Sequence, residues 1–353
     1  MSERKLKIAA LLKELYGMAE VPVPSSRIPF YFNDVRAGHI ERTDAEFLAK
    51  TFRFCEARPD AFVFTAEGPG QASRRLAAVS HLAALLKELY DMAEVPVPSS
   101  RIPFYFNDVR AGHIERTDAE FLASTFRFCD VRPDAFVFTA EDSGQASRRL
   151  AAISHLYKGT DKVFAWRDEL LSVTASDDIA CESPLTVIER AMCRPFAFNT
   201  FAVHLNPFTR DGRMWVAQRS FKKAIGPGYW DNCAAGLVGA GEPFGLAMER
   251  EAFEEAGVTP GSLEISFSAR NIISRPVHEG WMREIAYICN AYVEDSFHPH
   301  NMDGEVERFE LLEPEAIIER IEKGRFTFES SLAVLAGLAW QEGLLDLLDQ
   351  PAV

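Results

Sequence analysis

Gly236-Leu-Val-Gly-Ala-Gly-Glu-Pro-Phe-Gly-Leu-Ala-Met-Glu-Arg-Glu-Ala-Phe-Glu-Glu-Ala-Gly-Val258 says more about this chain than any other stretch. Gly236, Glu242, Arg250, Glu251, Glu254, Glu255 and Gly257 stand at fixed intervals, with Ala252 and Val258 at apolar positions. The residues between Pro243 and Ala256 are good helix formers. Proline is tolerated in a first turn, and Gly257 suits a left-handed helix end. On that helix, at about 100° per residue, Glu251, Glu254 and Glu255 fall within an arc of about 100°. Like charges so spaced repel, and a divalent cation resolves the conflict. No Cys or His accompanies the glutamates, so the oxygen donors favour Mg2+ or Mn2+ over Zn2+. The competing reading is a solvated acidic face. Gly236, in the loop before the helix, offers a backbone carbonyl to a metal and favours the cation. Leu246, Ala252, Phe253 and Ala256 are expected on the opposite, apolar face, where Glu249 intrudes without explanation.

A chain of 353 residues has room for two domains, and 25% charged with 47% hydrophobic residues is ordinary globular composition. The formal charge of −14 argues against nonspecific nucleic-acid binding, which needs Lys and Arg to neutralise phosphates. Six cysteines without a CxxC pair read as reduced thiols rather than a disulfide framework. Met-Ser-Glu-Arg-Lys-Leu-Lys leads into an amphipathic helix, and no run approaches a membrane span. A cytoplasmic protein without membrane or nucleic-acid partners is expected.

Residues 9–82 recur at 83–156 with seven differences: Gly17/Asp91, Lys50/Ser124, Glu56/Asp130, Ala57/Val131, Gly68/Asp142, Pro69/Ser143 and Val79/Ile153. Units this alike point to duplication of one module rather than a solenoid. Each predicts a helix (Leu11–Met18 or Leu85–Met92), the strand Ile-Pro-Phe-Tyr-Phe, a turn and a second strand. A helix opened by the capping-box spacing Thr43–Glu46 (Thr117–Glu120) follows, then a strand at Ala61–Thr65 and a helix at Gln71–His81. The second copy runs on into Lys162–Asp168, expected as a completing strand. His39, His81, His113 and His155 recur without a partner at ligand spacing and read as solvated or core residues. The expected division is therefore 1–82 as an incomplete copy, 83–183 as the complete accessory domain, and 184–353 as a catalytic domain.

In that last part strands are expected at Phe196–Asn206, Arg213–Arg219, Leu263–Asn271, Glu284–Val293 and Glu307–Leu312, with helices at Pro314–Lys323 and Ser331–Leu348. Strands on either side of one glutamate-bearing helix predict an α/β/α sandwich with a mixed sheet, preceded by small α+β modules. Residues 185–350 resemble a Nudix hydrolase, with the opening stretch as the Nudix box. Val203–Asn206, Met214-Trp215 with Arg219-Ser220 and Lys222-Lys223, Gly226–Asn232 and Asp303–Glu307 resemble, more narrowly, Nudix proteins related to the domain fused to fungal thiamin pyrophosphokinase. That family carries an N-terminal accessory domain, while the extra copy at 1–82 departs from its layout.

The resemblance implies Mg2+- or Mn2+-dependent hydrolysis of a small-molecule diphosphate, notably thiamin diphosphate-like compounds in oxidised or damaged form, to the monophosphate. It implies metal binding by Gly236, Glu251, Glu254 and Glu255, completed by a distal glutamate, Glu305 first and Glu307 second. Arg250 is expected to orient a neighbouring glutamate, and Glu242 to hold the loop or bind through water. Arg219, Lys222 and Lys223 are candidates for the phosphates, and Trp230, Tyr229 or Trp281 for stacking on a ring. A homodimer is compatible with the sequence. Two alternatives stand beside hydrolysis: an isopentenyl-diphosphate-isomerase-like enzyme using Cys233 as acid/base, and a non-catalytic Nudix-like binding module.

Overall fold

Alternation of large apolar and polar residues makes Arg-Ile-Pro-Phe-Tyr-Phe a strand with one face for a core, and the chain uses it twice. The computed structural model describes residues 27–32, 35–41, 55–57, 62–64, 81–82, 84–163, 166–177 and 183–342. The expected helices at Leu11–Met18 and Thr43 onward lie outside them, as does all but the end of the one at Gln71–His81. In the first copy β1 (Arg27–Phe32) pairs antiparallel with β2 (Val35–Glu41) and parallel with β4 (Phe62–Phe64). The short β3 (Cys55–Ala57), which the sequence did not announce, lies against β4. The second copy repeats this order and register in β5 (Arg101–Phe106), β6 (Val109–Glu115), β7 (Cys129–Val131) and β8 (Phe136–Phe138).

Two helices cover the second sheet, α1 (Arg116–Thr125) and α2 (Ser143–Tyr157). The anticipated capping box does not form. Alpha1 starts at Arg116, ahead of Thr117, and its N-cap Glu115 makes no side-chain cap bond. Asp142 caps α2, accepting from the Gln145 N–H at 2.6 Å; the first copy has Gly68 there and so lacks that acceptor. The expected strand Lys162–Asp168 is also absent: none of its described residues is in a strand. The completing pair is instead β9 (Leu170–Val173) with β10 (Thr186–Glu189), antiparallel. Runs of four residues carry too little pattern to stand out.

Phe104, Phe136 and Phe138 form the centre of this module, and Phe196 and Phe198 from the following segment complete it. Gly112 makes the close approach possible, because a Cβ there would collide with the Phe196 carbonyl oxygen. Gly112→Ala should therefore lower stability by about 2–4 kcal/mol, seen as a depressed Tm; an unchanged melting curve would disprove the tight seat.

The strand expected from Phe196 begins later, since Cys193–Phe196 is a helical turn ended by left-handed Ala197. Beta11 (Asn199–Thr209) is buried throughout because both faces are covered. Phe201, Val203 and Leu205 face the box helix α3 (Phe244–Ala256). Asn206, on the other face, donates to the Ala333 carbonyl of α5 (Phe328–Gln341) at 3.0 Å. Beta11 pairs parallel with β16 (Gly280–Val293), which carries β15 (Ser266–Val277) antiparallel. On its other side lie β12 (Met214–Arg219) and β14 (Ala234–Leu237), and β12 adds β13 (Trp230–Asn232) and β17 (Val306–Leu312). A further helix, α4 (Pro314–Glu322), follows β17. This is the mixed sheet between helices that the sequence predicted. No helix of the described residues is long and apolar enough to cross a membrane.

The Glu249 puzzle comes from misplacing the buried arc of α3. Leu246 and Phe253 are 56% and 42% exposed, whereas Ala247, Met248, Ala252, Glu255 and Ala256 are buried. Glu249 sits at the margin beside Leu246 and Phe253, and Glu255 lies within the buried arc.

Candidate active site

Gly257, at φ 67°, ends α3. The chain later returns to this end: His300 N–H donates to the Ala256 carbonyl and Met302 N–H to the Glu254 carbonyl, both at 3.1 Å. Asn301 then accepts from the N–H groups of Asp303 and Gly304 at 3.2 and 2.8 Å, which tightens an acidic turn. Carboxylate oxygens of Glu255, Asp303 and Glu305 consequently lie within 4.8 Å of one another. Glu307 is exposed and outside this group.

Arg250 organises the other acids. Its Nε and Nη2 make a two-pronged contact with Glu242 at 2.8 and 2.9 Å. Nη1 donates to Glu251 at 2.6 Å and to Glu254 at 3.2 Å, and Nη2 also donates to the Leu237 carbonyl at 3.0 Å. Glu242 accepts the Gly239 N–H at 2.9 Å, so it braces the loop. Gly236 faces Glu251 so closely that any Cβ would fall inside the Glu251 carboxylate. Glu255 accepts the Ala235 N–H at 2.8 Å and pairs with Lys223 at 3.3 Å.

A divalent cation fits this donor set: all the side-chain donors are oxygen, and the glycine leaves a cradle. The acids are also short of positive charge. Burial, only partly offset by Lys223, pushes the Glu255 carboxyl up to about 8. Burial raises Glu251 as well, although Arg250 opposes it, and the charges of Glu254 and Glu305 add to the rise. Burial also works against ionisation of Glu305, yet its hydrogen bond and ion pair with Lys223 (2.5 Å) hold it below the usual range.

A pH effect follows. The folded value of Glu255 lies above its unfolded one, so its protonated form stabilises the metal-free fold. That contribution, on the order of 3–5 kcal/mol, is complete below about pH 4 and is lost as pH rises through about 8. Metal-free Tm should fall from about pH 5 to about pH 9, while the gain in Tm on adding Mg2+ should grow. A pH-independent gain would contradict this.

Beside the cluster opens a cavity of about 880 Å³ whose walls include Lys222, Lys223, Asp303 and Glu305. Its floor includes Ala202 and His204 of β11; Arg167, Arg190 and Arg194 approach from the preceding segment, and Glu284 and Glu329 also line it. Of the expected phosphate ligands, Lys222 is exposed on the wall. Arg219 is committed to Asp231 at 2.6 Å and to the carbonyls of Ile225 and Gly226. Trp230 is 6% exposed beneath Arg320, 4.2 Å from its ring centre, and is not a cavity wall. Trp281 is buried with its N–H on Ser274, and Tyr229, though 44% exposed, is not a wall either. The aromatic stacking expected from sequence therefore has no support in the cavity. Asp303 and the three arginines were not foreseen.

Residues 199–331 match the NUDIX domain model. The chain carries a NUDIX domain. Nudix hydrolase 20, chloroplastic, of Arabidopsis thaliana is 24% identical over 259 residues, covering 69% of this chain and 68% of that protein. An uncharacterized Nudix hydrolase of Pseudomonas aeruginosa is 31% identical over 106 residues, 30% of this chain and 56% of that one. An isopentenyl-diphosphate Delta-isomerase of Leifsonia xyli subsp. xyli is 27% identical, covering 38% of this chain and 71% of the isomerase. Among solved structures, DR0079 from Deinococcus radiodurans aligns over 48% of this chain and 97% of its own, at 23% identity and a TM-score of 0.37. Within this domain Gly236 and the acidic turn Asp303–Glu305 line one cavity, and Glu255 of the glutamate helix lies beside the carboxylates of that turn.

Proposed function

We propose that this Nudix hydrolase cleaves a diphosphate attached to an organic group, with a thiamin diphosphate-like compound as substrate, giving the monophosphate and orthophosphate. The observation that carries this reading is the Glu255–Asp303–Glu305 carboxylate cluster at the edge of a cavity also lined by cations. Mg2+ or Mn2+, held there by Glu255, Asp303 and Glu305 with Glu251 and the Gly236 carbonyl alongside, would acidify water and offset phosphoryl charge. Arg250 keeps Glu251 and Glu254 aligned. Lys223 bridges Glu255 and Glu305 across the gap between helix and turn. Attack by water on phosphorus forms one P–O bond as the bond to the bridging oxygen breaks, and the proton passes toward the carboxylates.

Two features support a cationic organic group. Most of the segments that resemble thiamin-related Nudix proteins contribute to the cavity, through His204, Arg219, Lys222, Asp231 and Asp303–Glu305. Glu329, on its wall, has no ion pair or hydrogen bond to another side chain among the described residues, and burial raises its carboxyl, with Glu284 adding to the rise. A positively charged ring would meet that need. The isomerase reading loses its acid/base: Cys233 is fully buried against α3, burial drives its thiol upward, and it is not a cavity wall.

Phosphorus NMR with Mg2+ and a panel of diphosphates tests the reading. Orthophosphate with thiamin monophosphate is the expected result. An unchanged phosphate count with a rearranged alkene, or no turnover of any diphosphate, would refute it.

A further inference from the structure

We infer that Arg167, which lies outside residues 199–331, binds the terminal phosphoryl group of the substrate. This rests on the diphosphate reading above and adds to it a residue that the NUDIX domain does not itself contain.

Among the described residues six Lys and Arg side chains line the cavity, but four are already committed to carboxylates. Arg190 pairs with Glu169 at 2.7 Å, Arg194 with Glu284 at 2.9 Å and Arg219 with Asp231 at 2.6 Å. Lys223 is shared between Glu255 and Glu305. Arg167 and Lys222 remain. Both are exposed, and the side chain of neither has a hydrogen bond or ion pair among the described residues. An arginine on open surface would be unremarked; this one lines the same cavity as Asp303 and Glu305, and its charge reaches Glu305.

Its backbone is fixed, which a solvated arginine does not require. The Arg167 N–H donates to Glu189 at 2.9 Å. Trp166 donates to Asp168 at 2.7 Å, and Asp168 holds a left-handed turn at φ 55°. The Glu169 carbonyl accepts the Arg190 N–H at 2.8 Å, and the Leu170 carbonyl accepts the Ala240 N–H at 2.9 Å. The last bond ties the segment that carries Arg167 to the loop between Gly236 and Glu242. A guanidinium is always charged and offers paired donors that match two phosphoryl oxygens. Lys222, which lines the same cavity, adds a point charge.

Arg167→Ala should raise KM for thiamin diphosphate about tenfold or more, leave kcat within about twofold and leave Tm unchanged. Arg167→Lys should recover part of the loss. Calorimetric titration of full-length protein with Mg2+ and methylenediphosphonate, which is not hydrolysed, should show the same weakening. An unchanged KM and phosphonate affinity in Arg167→Ala would overturn the assignment. If the wild type turns over no diphosphate, the hydrolase reading fails by itself and the phosphonate titration still decides on Arg167. Equal affinity in both proteins, or no binding by the wild type, rejects it.

Discussion

Glu255→Gln should slow turnover by at least about a hundredfold, roughly 2.7 kcal/mol of barrier, while the protein still folds. Glu255 is the box glutamate whose oxygens approach both Asp303 and Glu305, and it is the most deeply buried of the three, at 7% exposure. Glutamine keeps the shape and can still accept the Ala235 N–H, but it removes the charge a cation needs. The same change should stabilise the metal-free protein near pH 8–9, because it resembles the protonated form that burial favours. Lost activity together with a raised metal-free Tm separates a ligand role from a packing role. Wild-type rates, or a variant that is simply less stable at all pH values, would reject the placement of Glu255.

Gly236→Ala is expected to cost about as much activity by a different route. Gly236 has no positive φ, so an alanine there is excluded by space rather than by backbone conformation. The new methyl group would occupy the Glu251 carboxylate, which Arg250 pins at 2.6 Å and which cannot retreat without breaking that bond. Mn2+ affinity, read by electron paramagnetic resonance, should weaken about tenfold or more, with kcat falling about a hundredfold. Gly239→Ala is the control. Its Cβ would meet Glu242 alone, at the ordinary contact distances of 3.4 and 3.9 Å, and near-normal activity is expected. Equal damage from the two alanines would show that loop rigidity, not the Glu251 cradle, is at stake.

The box helix was legible because its stop signal and carboxylate spacing are local properties of one segment. Its buried face was not, since Leu246 and Phe253 are apolar yet exposed and Glu255 is acidic yet buried. The long strands were found in sequence, most to within four residues, although β15 runs six residues past its expected end at Asn271. Beta9 and β10 were missed because each has four residues and gains its order from the other. Charged site residues divided in the same way. Nothing in the order Arg219-Ser-Phe-Lys-Lys223 tells which cations a carboxylate from another strand will claim; Asp231 takes Arg219, and Lys222 is left exposed. Trp230 looked available until β13 was seen tucked under Arg320. Arg167 lines the cavity because its segment is tied to Glu189 and, through Leu170, to the box loop, long-range contacts with no sequence signature.

The Phe104–Phe136–Phe196–Phe198 cluster has a consequence for how such a chain can evolve. Two rings come from the repeated unit and two from the segment leading into the hydrolase, so neither part carries a finished interior of its own. Severing them would leave about 1.5–3 kcal/mol per aromatic ring facing water on each side. Residues 88–337 should accordingly melt in one calorimetric transition, and the hydrolase could not be transplanted to a new neighbour as a free-standing cassette without first rebuilding that seam.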